Sequence, residues 1–168
     1  MPVYEEFLRQ FPDLETLGRA RVQKIEKVIF PLGLRWRAAL LKQLGKQLAG
    51  RGGQVPSNQD ELLKLPGVGP YAAAAWLGFH GGKRSVIVDA NVVRFICRLT
   101  GSRMDGETRR KKWLIQMADI LTPARNCKAF NYAILDFTMQ ICSKKAKCGE
   151  CPIGAELCIY GLHQIQNS

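Results

Sequence analysis

Four cysteines are grouped in one short stretch near the carboxyl end of the chain, separated by five, two and six residues. The residues between them include three lysines and two glutamates, which are uncommon in a hydrophobic core. In a reducing compartment, clustered thiols of this kind are more often metal ligands than disulfides. The grouping therefore predicts either a [4Fe–4S] cluster or a structural zinc ion, held by Cys142, Cys148, Cys151 and Cys158.

The chain of 168 residues carries a large excess of basic side chains, 25 Lys and Arg against 14 Asp and Glu, with a formal net charge of +11. Such an excess favours a polyanionic partner, nucleic acid first, over a merely soluble basic surface. Lys144, Lys145 and Lys147 lie among the cysteines, where a bound metal would make their loop rigid. We expect this loop to contact phosphates, each of which adds to a salt-dependent affinity.

The stretch LPGVGP at 65–70 places two glycines and two prolines directly before a helix-forming segment. Gly67 and Gly69 allow backbone angles that a β-carbon would forbid, and Pro70 suits the first turn of a helix. The pattern predicts a helix, a hairpin and a second helix, with free backbone amides pointing outward together. Such amides bind a phosphate and anchor nucleic acid without reading its sequence. The alternative is an ordinary tight turn between packed helices.

Asp89 follows the apolar stretch VIV and precedes an amphipathic segment. One interpretation is a helix N-cap, a role that aspartate often fills. The other interpretation is a carboxylate that faces the sugar of an extruded nucleotide. Breaking an N-glycosidic bond develops positive charge on the sugar, and a carboxylate can stabilise that charge or orient the attacking water. The two roles are compatible, since the helix dipole favours the ionised form.

These residues must be positioned by helices, because apolar spacing is helical almost throughout and only SVIV at 85–88 is extended. Ser57 with Asp60 predicts a capping box before a short helix. Cys97 and Cys127 are predicted core residues, and the three tryptophans are predicted to pack, with base stacking as the alternative. The sequence predicts an all-α protein whose helices lie at about 22–29, 34–49, 70–80, 90–100, 107–121 and 128–142.

No apolar run in the sequence approaches the roughly 20 residues that span a bilayer, and the first residues lack the pattern of a signal peptide. We therefore expect no membrane association. The predicted location is intracellular, in the cytoplasm and nucleoid, or in the nucleus if the source is a eukaryote.

The segments VPSNQDELLKLPGVGPYAAAAWLGF, VDANVVRF and FNYAILDFTMQIC, with the cysteine stretch, resemble the helix-hairpin-helix DNA glycosylases of the endonuclease III superfamily. Within it they are most similar to thymine-DNA mismatch glycosylases and, nearly as much, to adenine-DNA glycosylases. The resemblance covers about residues 14–160. It implies an all-α fold of two helical lobes, a [4Fe–4S] cluster with zinc as the alternative, and flipping of a base into a pocket between the lobes.

The resemblance also implies a domain organisation. Residues 1–168 form a single glycosylase-like unit. A helical-barrel lobe takes in about 20–125 and contains the hairpin at 59–80. A cluster lobe takes in 126–168 and contains the cysteine loop at 142–158.

Residue roles follow from the same resemblance. Asp89 matches the catalytic carboxylate, and the four cysteines match the cluster ligands, although one residue has moved from the first interval to the last. Tyr71 stands where members with lyase activity carry a lysine that forms a Schiff base. The resemblance therefore implies a glycosylase without AP lyase activity, in which Tyr71 lines the base pocket. The DNA-binding hairpin matches Leu65, Gly67, Val68 and Gly69.

The implied function is a monofunctional glycosylase of base excision repair, which binds double-stranded DNA and removes thymine or uracil mispaired with guanine. Ala90 and the short carboxyl end favour that substrate over the alternative, removal of adenine opposite 8-oxoguanine or guanine. A second alternative is a DNA-binding module without catalysis, and a third is a zinc-stabilised helical adaptor. The non-catalytic module gains weight because the N-terminal helices of the family have no match here, and we expect self-association or a partner chain to replace them.

Overall fold

A computed structural model describes residues 2–154 and 156–166. In these residues the chain is helical and contains no strand, which confirms the predicted all-α class. None of the described helices is long and apolar enough to cross a membrane. The helices are α1 Pro2–Gln10, α2 Leu14–Arg19, α3 Val22–Ile29, α4 Ala38–Ala49, α5 Gln59–Leu63, α6 Pro70–Phe79, α7 Ala90–Thr100, α8 Lys112–Leu121, α9 Cys127–Gln140 and α10 Ile159–Gln166.

The chain divides into two compact units, one up to residue 73 and one from residue 74. In the first unit α2 and α3 pack on α4. Their buried side chains form one apolar core, whose burial against water is the main stabilising term. It contains Phe11, Leu17, Ile25, Ile29 and Ala38. The expected boundary near residue 125 is not tested by this division and stays a prediction.

The second unit is built around α7, which contacts α8, α9 and α10. One face of α7 is buried between residues 92 and 97, as the spacing of its apolar residues predicts. The core of this unit contains Val92, Val93, Phe95, Ile96, Cys97, Leu114, Ala118 and Cys142. Because three helices pack on α7, its polar side chains reach other elements from a fixed position.

Two helix boundaries differ from the prediction. The helix expected from 34 begins at Ala38, after a 3-10 turn at Arg35–Arg37. The helix expected from 107 begins at Lys112, since Asp105 accepts hydrogen bonds from the Glu107 amide and the Thr108 hydroxyl and holds the preceding segment in a turn.

The capping box predicted at Ser57 is wrong. Asn58 is the N-cap of α5, and its side-chain oxygen accepts a hydrogen bond from the backbone amide of Glu61 at 2.9 Å. Asparagine and serine are both favoured caps, so composition alone does not choose between neighbours.

Candidate functional site

The predicted hairpin joins α5 to α6. Leu65 is buried, and its carbonyl accepts a hydrogen bond from the Val68 amide at 3.2 Å. Gly67 has φ +74°, a left-handed conformation that favours glycine, and a β-carbon there would lie 3.2 Å from that of Leu40. The helix, hairpin and helix therefore stand as predicted, and Gly67 is required by the turn itself.

Gly69 differs from the expectation, because its φ is not positive and its backbone does not need glycine. A β-carbon at Gly69 would meet nothing within 4 Å, so this position faces open space. Within the described residues the amides of Gly67 and Gly69 donate to no acceptor. A ligand can approach the backbone closely at such a place, as a phosphate oxygen does at a helix N-terminus.

Two side chains flank the hairpin. Tyr71, in the first turn of α6, has 44% of its surface exposed. Lys64, the C-cap of α5, is exposed before the turn. Tyr71 is thus partly exposed at the position where the resemblance places a pocket residue.

Asp89 is the N-cap of α7, as one of the two interpretations predicted, and it is half-buried. Its Oδ1 accepts hydrogen bonds from the backbone amides of Asn91 at 2.8 Å and Val92 at 2.7 Å. Its Oδ2 accepts one from the Asn91 side-chain amide at 2.9 Å. Since a carboxylate oxygen has two lone pairs, Oδ2 keeps acceptor capacity for a water or for a developing positive charge.

Asn91 and Arg94 are functional candidates that the sequence interpretation missed. Arg94 Nη1 donates to Asn91 Oδ1 at 3.0 Å, an i,i+3 contact on the surface of α7. The only signal in the sequence was this spacing, which is common on helices. The remaining contacts of Arg94 reach Thr138 and Cys142, more than forty positions along the chain, and no local pattern indicates them.

The four cysteines line one small cavity of about 20 Å³, which is partly open to solvent. Cys142 and Cys158 are buried, whereas Cys148 and Cys151 are half-buried. Burial raises the pKa of the Cys148 thiol, and the neighbouring cysteines raise it further because thiolates repel one another. In the described part of the chain, no three His, Cys, Asp or Glu side chains are arranged as a site for a metal ion.

Other groups on this cavity suit a sulfur-bound cluster. Its walls include Phe95, Phe137 and Ile153. Arg98 Nη1 lies 3.5 Å from the Cys142 sulfur, and the Gly161 amide donates to the Cys158 sulfur at 3.4 Å. Donors and positive charge directed at ligating sulfurs are typical of iron–sulfur sites.

The backbone of the cysteine loop lies very close to the first turn of α10. A β-carbon at Gly161 would overlap the backbone of Gly154, so the first turn of α10 meets the loop only through glycine.

The three loop lysines are exposed, as expected for phosphate contacts. Lys147 Nζ lies 3.7 Å from a carboxylate oxygen of Glu150. The backbone around the other two is held, since the Ser143 hydroxyl donates to the Lys145 carbonyl at 2.6 Å and Arg98 donates to the Lys144 carbonyl at 3.1 Å. The lysine heads therefore extend from a backbone that is already ordered.

The prediction that the three tryptophans pack is wrong for Trp36. It lies in the 3-10 turn before α4 with 64% of its surface exposed, and the Arg37 guanidinium stacks over its ring at 4.8 Å. An exposed aromatic ring with an arginine beside it is suited to stacking on bases.

Comparison with known proteins identifies the family. The family model described as "HhH-GPD superfamily base excision DNA repair protein" matches residues 1–135. The chain belongs to this superfamily. Membership confirms the resemblance to the helix-hairpin-helix DNA glycosylases, and the matched residues include the hairpin and Asp89.

Individual relatives agree with this assignment. The chain is similar to a thymine/uracil-DNA glycosylase of Pyrobaculum aerophilum, with 37% identity over 94% of this chain and 71% of the relative. It is also similar to an adenine DNA glycosylase of Buchnera aphidicola, with 30% identity over 91% of this chain and 44% of the relative. A solved thermostable thymine-DNA glycosylase superposes with a TM-score of 0.84 at 34% identity, over 96% of this chain and 76% of that chain.

Proposed function

We propose that the protein is a DNA glycosylase that removes thymine or uracil mispaired with guanine and leaves an abasic site. Relatives named for thymine and uracil, at 35–37% identity over most of the chain, support this substrate class. The observation that carries the chemistry is Asp89, a carboxylate fixed at the start of α7 with acceptor capacity left on Oδ2.

In the proposed reaction the open amides at Gly67 and Gly69 bind a backbone phosphate and fix the register of the duplex. The mispaired base is extruded from the stack. As the N-glycosidic bond breaks, Asp89 stabilises the positive charge on the sugar or takes a proton from the attacking water. The bond from the sugar to the base nitrogen is replaced by a bond to hydroxyl, and the base leaves with a proton.

We infer that the strand is not cut by this protein. Lyase chemistry needs an amine that attacks the sugar and forms a Schiff base. Tyr71 offers a phenol at the matching position, and Lys64 lies before the turn. The product is therefore expected to be an intact strand that breaks only when alkali is added.

We propose that Cys142, Cys148, Cys151 and Cys158 hold a [4Fe–4S] cluster. Four thiol donors on one apolar cavity, with Arg98 and an amide directed at two of the sulfurs, support this donor set. A bound cluster would supply cross-links that order the lysine loop for contact with phosphates. A brown protein that contains iron would support the cluster, and a colourless protein with stoichiometric zinc would overturn it.

The experiment that tests the function is single-turnover base release from duplexes that contain G:T, G:U or A:8-oxoguanine. Asp89→Asn is assayed beside the parent, and abasic sites are revealed by alkali. Release from G:T or G:U that is lost in Asp89→Asn, with strand breakage only after alkali, is the expected result. Release from A:8-oxoguanine alone would favour the adenine activity that the Buchnera relative's name suggests. DNA binding without release from any duplex would favour a non-catalytic module.

We also propose that two copies of the chain associate through exposed apolar side chains. Ile115 and Ile120 of α8 and Met139 of α9 are exposed, with 77% of Ile120 accessible. Exposed apolar groups favour a protein contact. Light scattering at rising concentration should show a dimer, and a monomer at every concentration would contradict this.

Since the proposed substrate is DNA, an intracellular location follows from the proposed function.

A further inference from the structure

A second pocket, larger than the cysteine cavity, lies between α7, the segment that follows it, and α10. Its volume is about 410 Å³, which is within the range of sites that hold small molecules. We call it the α7–α10 pocket, and all of its lining residues belong to the second unit. The four cysteines of the loop, Asp89 and the hairpin are not among them. The pocket is therefore distinct from the proposed cluster site and from the proposed site of base release.

The charged side chains of this pocket are all basic. Arg94 and Arg98 of α7 and His163 of α10 line it, and no aspartate or glutamate does so in the described part of the chain. The acceptors that the structure describes for the two guanidiniums are backbone carbonyls, the Asn91 amide oxygen and the Cys142 sulfur. None of these acceptors is a carboxylate, so no ion pair within the described residues neutralises either arginine.

Two neighbouring groups that could add negative charge do not do so. Burial raises the pKa of the Cys97 thiol, which lines the pocket and is therefore neutral at pH 7. The Asp105 carboxylate raises that pKa further, but this carboxylate forms an ion pair with Lys111. The α7–α10 pocket thus presents positive charge that no acid of its own wall balances.

The remaining wall of the pocket is largely apolar. The Arg98 guanidinium carbon lies 4.8 Å from the centroid of the Tyr160 ring. Met104 and Ile159 line the pocket with 57% and 45% of their surfaces exposed. Exposed apolar side chains gain free energy when an apolar group of a ligand covers them. The pocket therefore offers positive charge and apolar surface side by side.

The walls are held in place by contacts within the protein. Arg98 Nη1 donates to the Ser143 carbonyl at 2.6 Å, whereas the Nε–H of Arg98 has no acceptor among the described residues. Gly101 has φ +67°, and a β-carbon there would lie 2.9 Å from the side chain of Ile159, so α7 and α10 meet at a glycine. A pocket with fixed walls needs little ordering when a ligand binds.

We propose that the α7–α10 pocket binds a phosphate monoester that carries a flat apolar group. A phosphate monoester has a charge of about −1.5 to −2 at pH 7, which matches the two positive charges of Arg94 and Arg98. Guanidinium N–H groups are well suited to phosphate oxygens. The flat group packs against Tyr160, Met104 and Ile159. A carboxylate carries one negative charge and matches the two guanidiniums less well. This inference does not depend on the proposed function.

The test is calorimetric titration of the protein at low salt with phenyl phosphate, benzoate and inorganic phosphate. Phenyl phosphate has both features, benzoate has the ring with a single charge, and inorganic phosphate has no ring. The dissociation constant of phenyl phosphate should be at least about fivefold lower than that of either other probe, because only phenyl phosphate makes both contacts. Equal constants for the three probes, or no saturable binding of phenyl phosphate below about 10 mM, would overturn the proposal.

A pair of variants at Met104 tests whether the probe occupies this pocket. Met104→Glu places a negative charge at the pocket and should raise the dissociation constant of phenyl phosphate about fivefold or more. Met104→Gln has nearly the same shape without the charge and should keep the parent value. Because Met104 is exposed, both variants should unfold at nearly the parent temperature. Equal constants for the two variants would mean that the probe binds elsewhere and would overturn the proposal.

Gly69→Ala and Asp89→Asn exclude binding of the probe at the hairpin and at the proposed catalytic carboxylate. Neither residue lines the pocket, so both variants should bind phenyl phosphate as the parent does. Weaker binding by Gly69→Ala would assign the probe to the hairpin. Tighter binding by Asp89→Asn would assign it to the carboxylate, whose negative charge repels an anion. Either result would overturn the proposal, whatever the effect of Asp89→Asn on base release.

The monoester can belong to a free small molecule or to the end of a nucleic-acid strand, and competition against phenyl phosphate distinguishes these sources. Displacement by a duplex with 5′-phosphates, but not by the same duplex without them, would assign a strand end. Displacement by neither duplex would assign a free small molecule. Equal displacement by both duplexes would show that internal phosphates occupy the pocket, and recognition of a monoester would be overturned.

Discussion

At the scale of single residues, Asp89 illustrates what a short pattern can predict. An apolar stretch followed by aspartate and an amphipathic segment indicated an N-cap, and Oδ1 of Asp89 accepts two backbone amides as that role requires. The partners beyond the cap were not predictable, because Arg94 meets carbonyls 44 and 48 positions away along the chain. Sequence spacing reports contacts within a helix, whereas contacts between elements depend on packing.

Tyr71 carries a residue-scale prediction about reaction type. Replacing it with lysine places an amine in the first turn of α6, where it can attack the abasic sugar and form an imine. Tyr71→Lys should therefore cut DNA without alkali and form a covalent complex when borohydride reduces the imine. Ala72→Lys, one position along and also exposed, is the control. Equal trapping by both variants would show that position 71 has no special access to the sugar.

At the scale of elements, apolar periodicity predicted which segments form helices, but it did not predict where each helix begins and ends. The segment 107–111 was expected to be helical. Instead, the Asp105 carboxylate accepts hydrogen bonds from the Glu107 amide and the Thr108 hydroxyl and forms an ion pair with Lys111, so that α8 begins only at Lys112. The helix propensities of residues 107–111 allow either a helix or a turn. The polar contacts of the turn decide between them.

This turn predicts a pH dependence of stability. The hydrogen bonds of Lys111 and Thr108 lower the pKa of Asp105 to about 2 from its usual 3.8. Because the pKa is lower in the folded state, its stabilisation is complete above about pH 5 and is lost as the pH falls through 2. Asp105→Asn should therefore unfold at a lower temperature than the parent at pH 7, and the difference should narrow at pH 3. A difference that stays constant between these pH values would contradict the assignment.

The hairpin predicts opposite outcomes for its two glycines. Gly67→Ala forces a β-carbon into a left-handed conformation against Leu40 and should lower the free energy of unfolding by about 1 kcal/mol or more. Gly69→Ala adds a methyl group to open space, so stability should stay within about 0.5 kcal/mol. Gly69→Ala should nevertheless weaken duplex binding, because the methyl group stands where a phosphate would approach. Unchanged binding in folded Gly69→Ala would exclude this contact.

At the scale of the whole molecule, the net charge of +11 predicts a polyanionic partner but not where the duplex lies. Charge counts are insensitive to position, whereas family membership and the hairpin point to particular surfaces. The cysteine loop carries part of the positive charge at a defined position on the surface. Its lysines are exposed on a backbone that Arg98 and the Ser143 hydroxyl hold in place, so charge is presented from an ordered segment and little ordering is needed on binding.

The salt dependence of binding measures how many of these charges meet phosphates. Each neutralised phosphate contributes about 0.9 to the slope of log K against log salt concentration. Lys144→Ala with Lys145→Ala should therefore reduce the slope by about 1.8 if both lysines contact the backbone. Lys27→Ala, which removes an exposed charge from α3 of the first unit, serves as the control and should leave the slope nearly unchanged. Equal reductions per lysine in the loop and in α3 would mean that net charge, and not the ordered cysteine loop, determines the electrostatic part of the affinity.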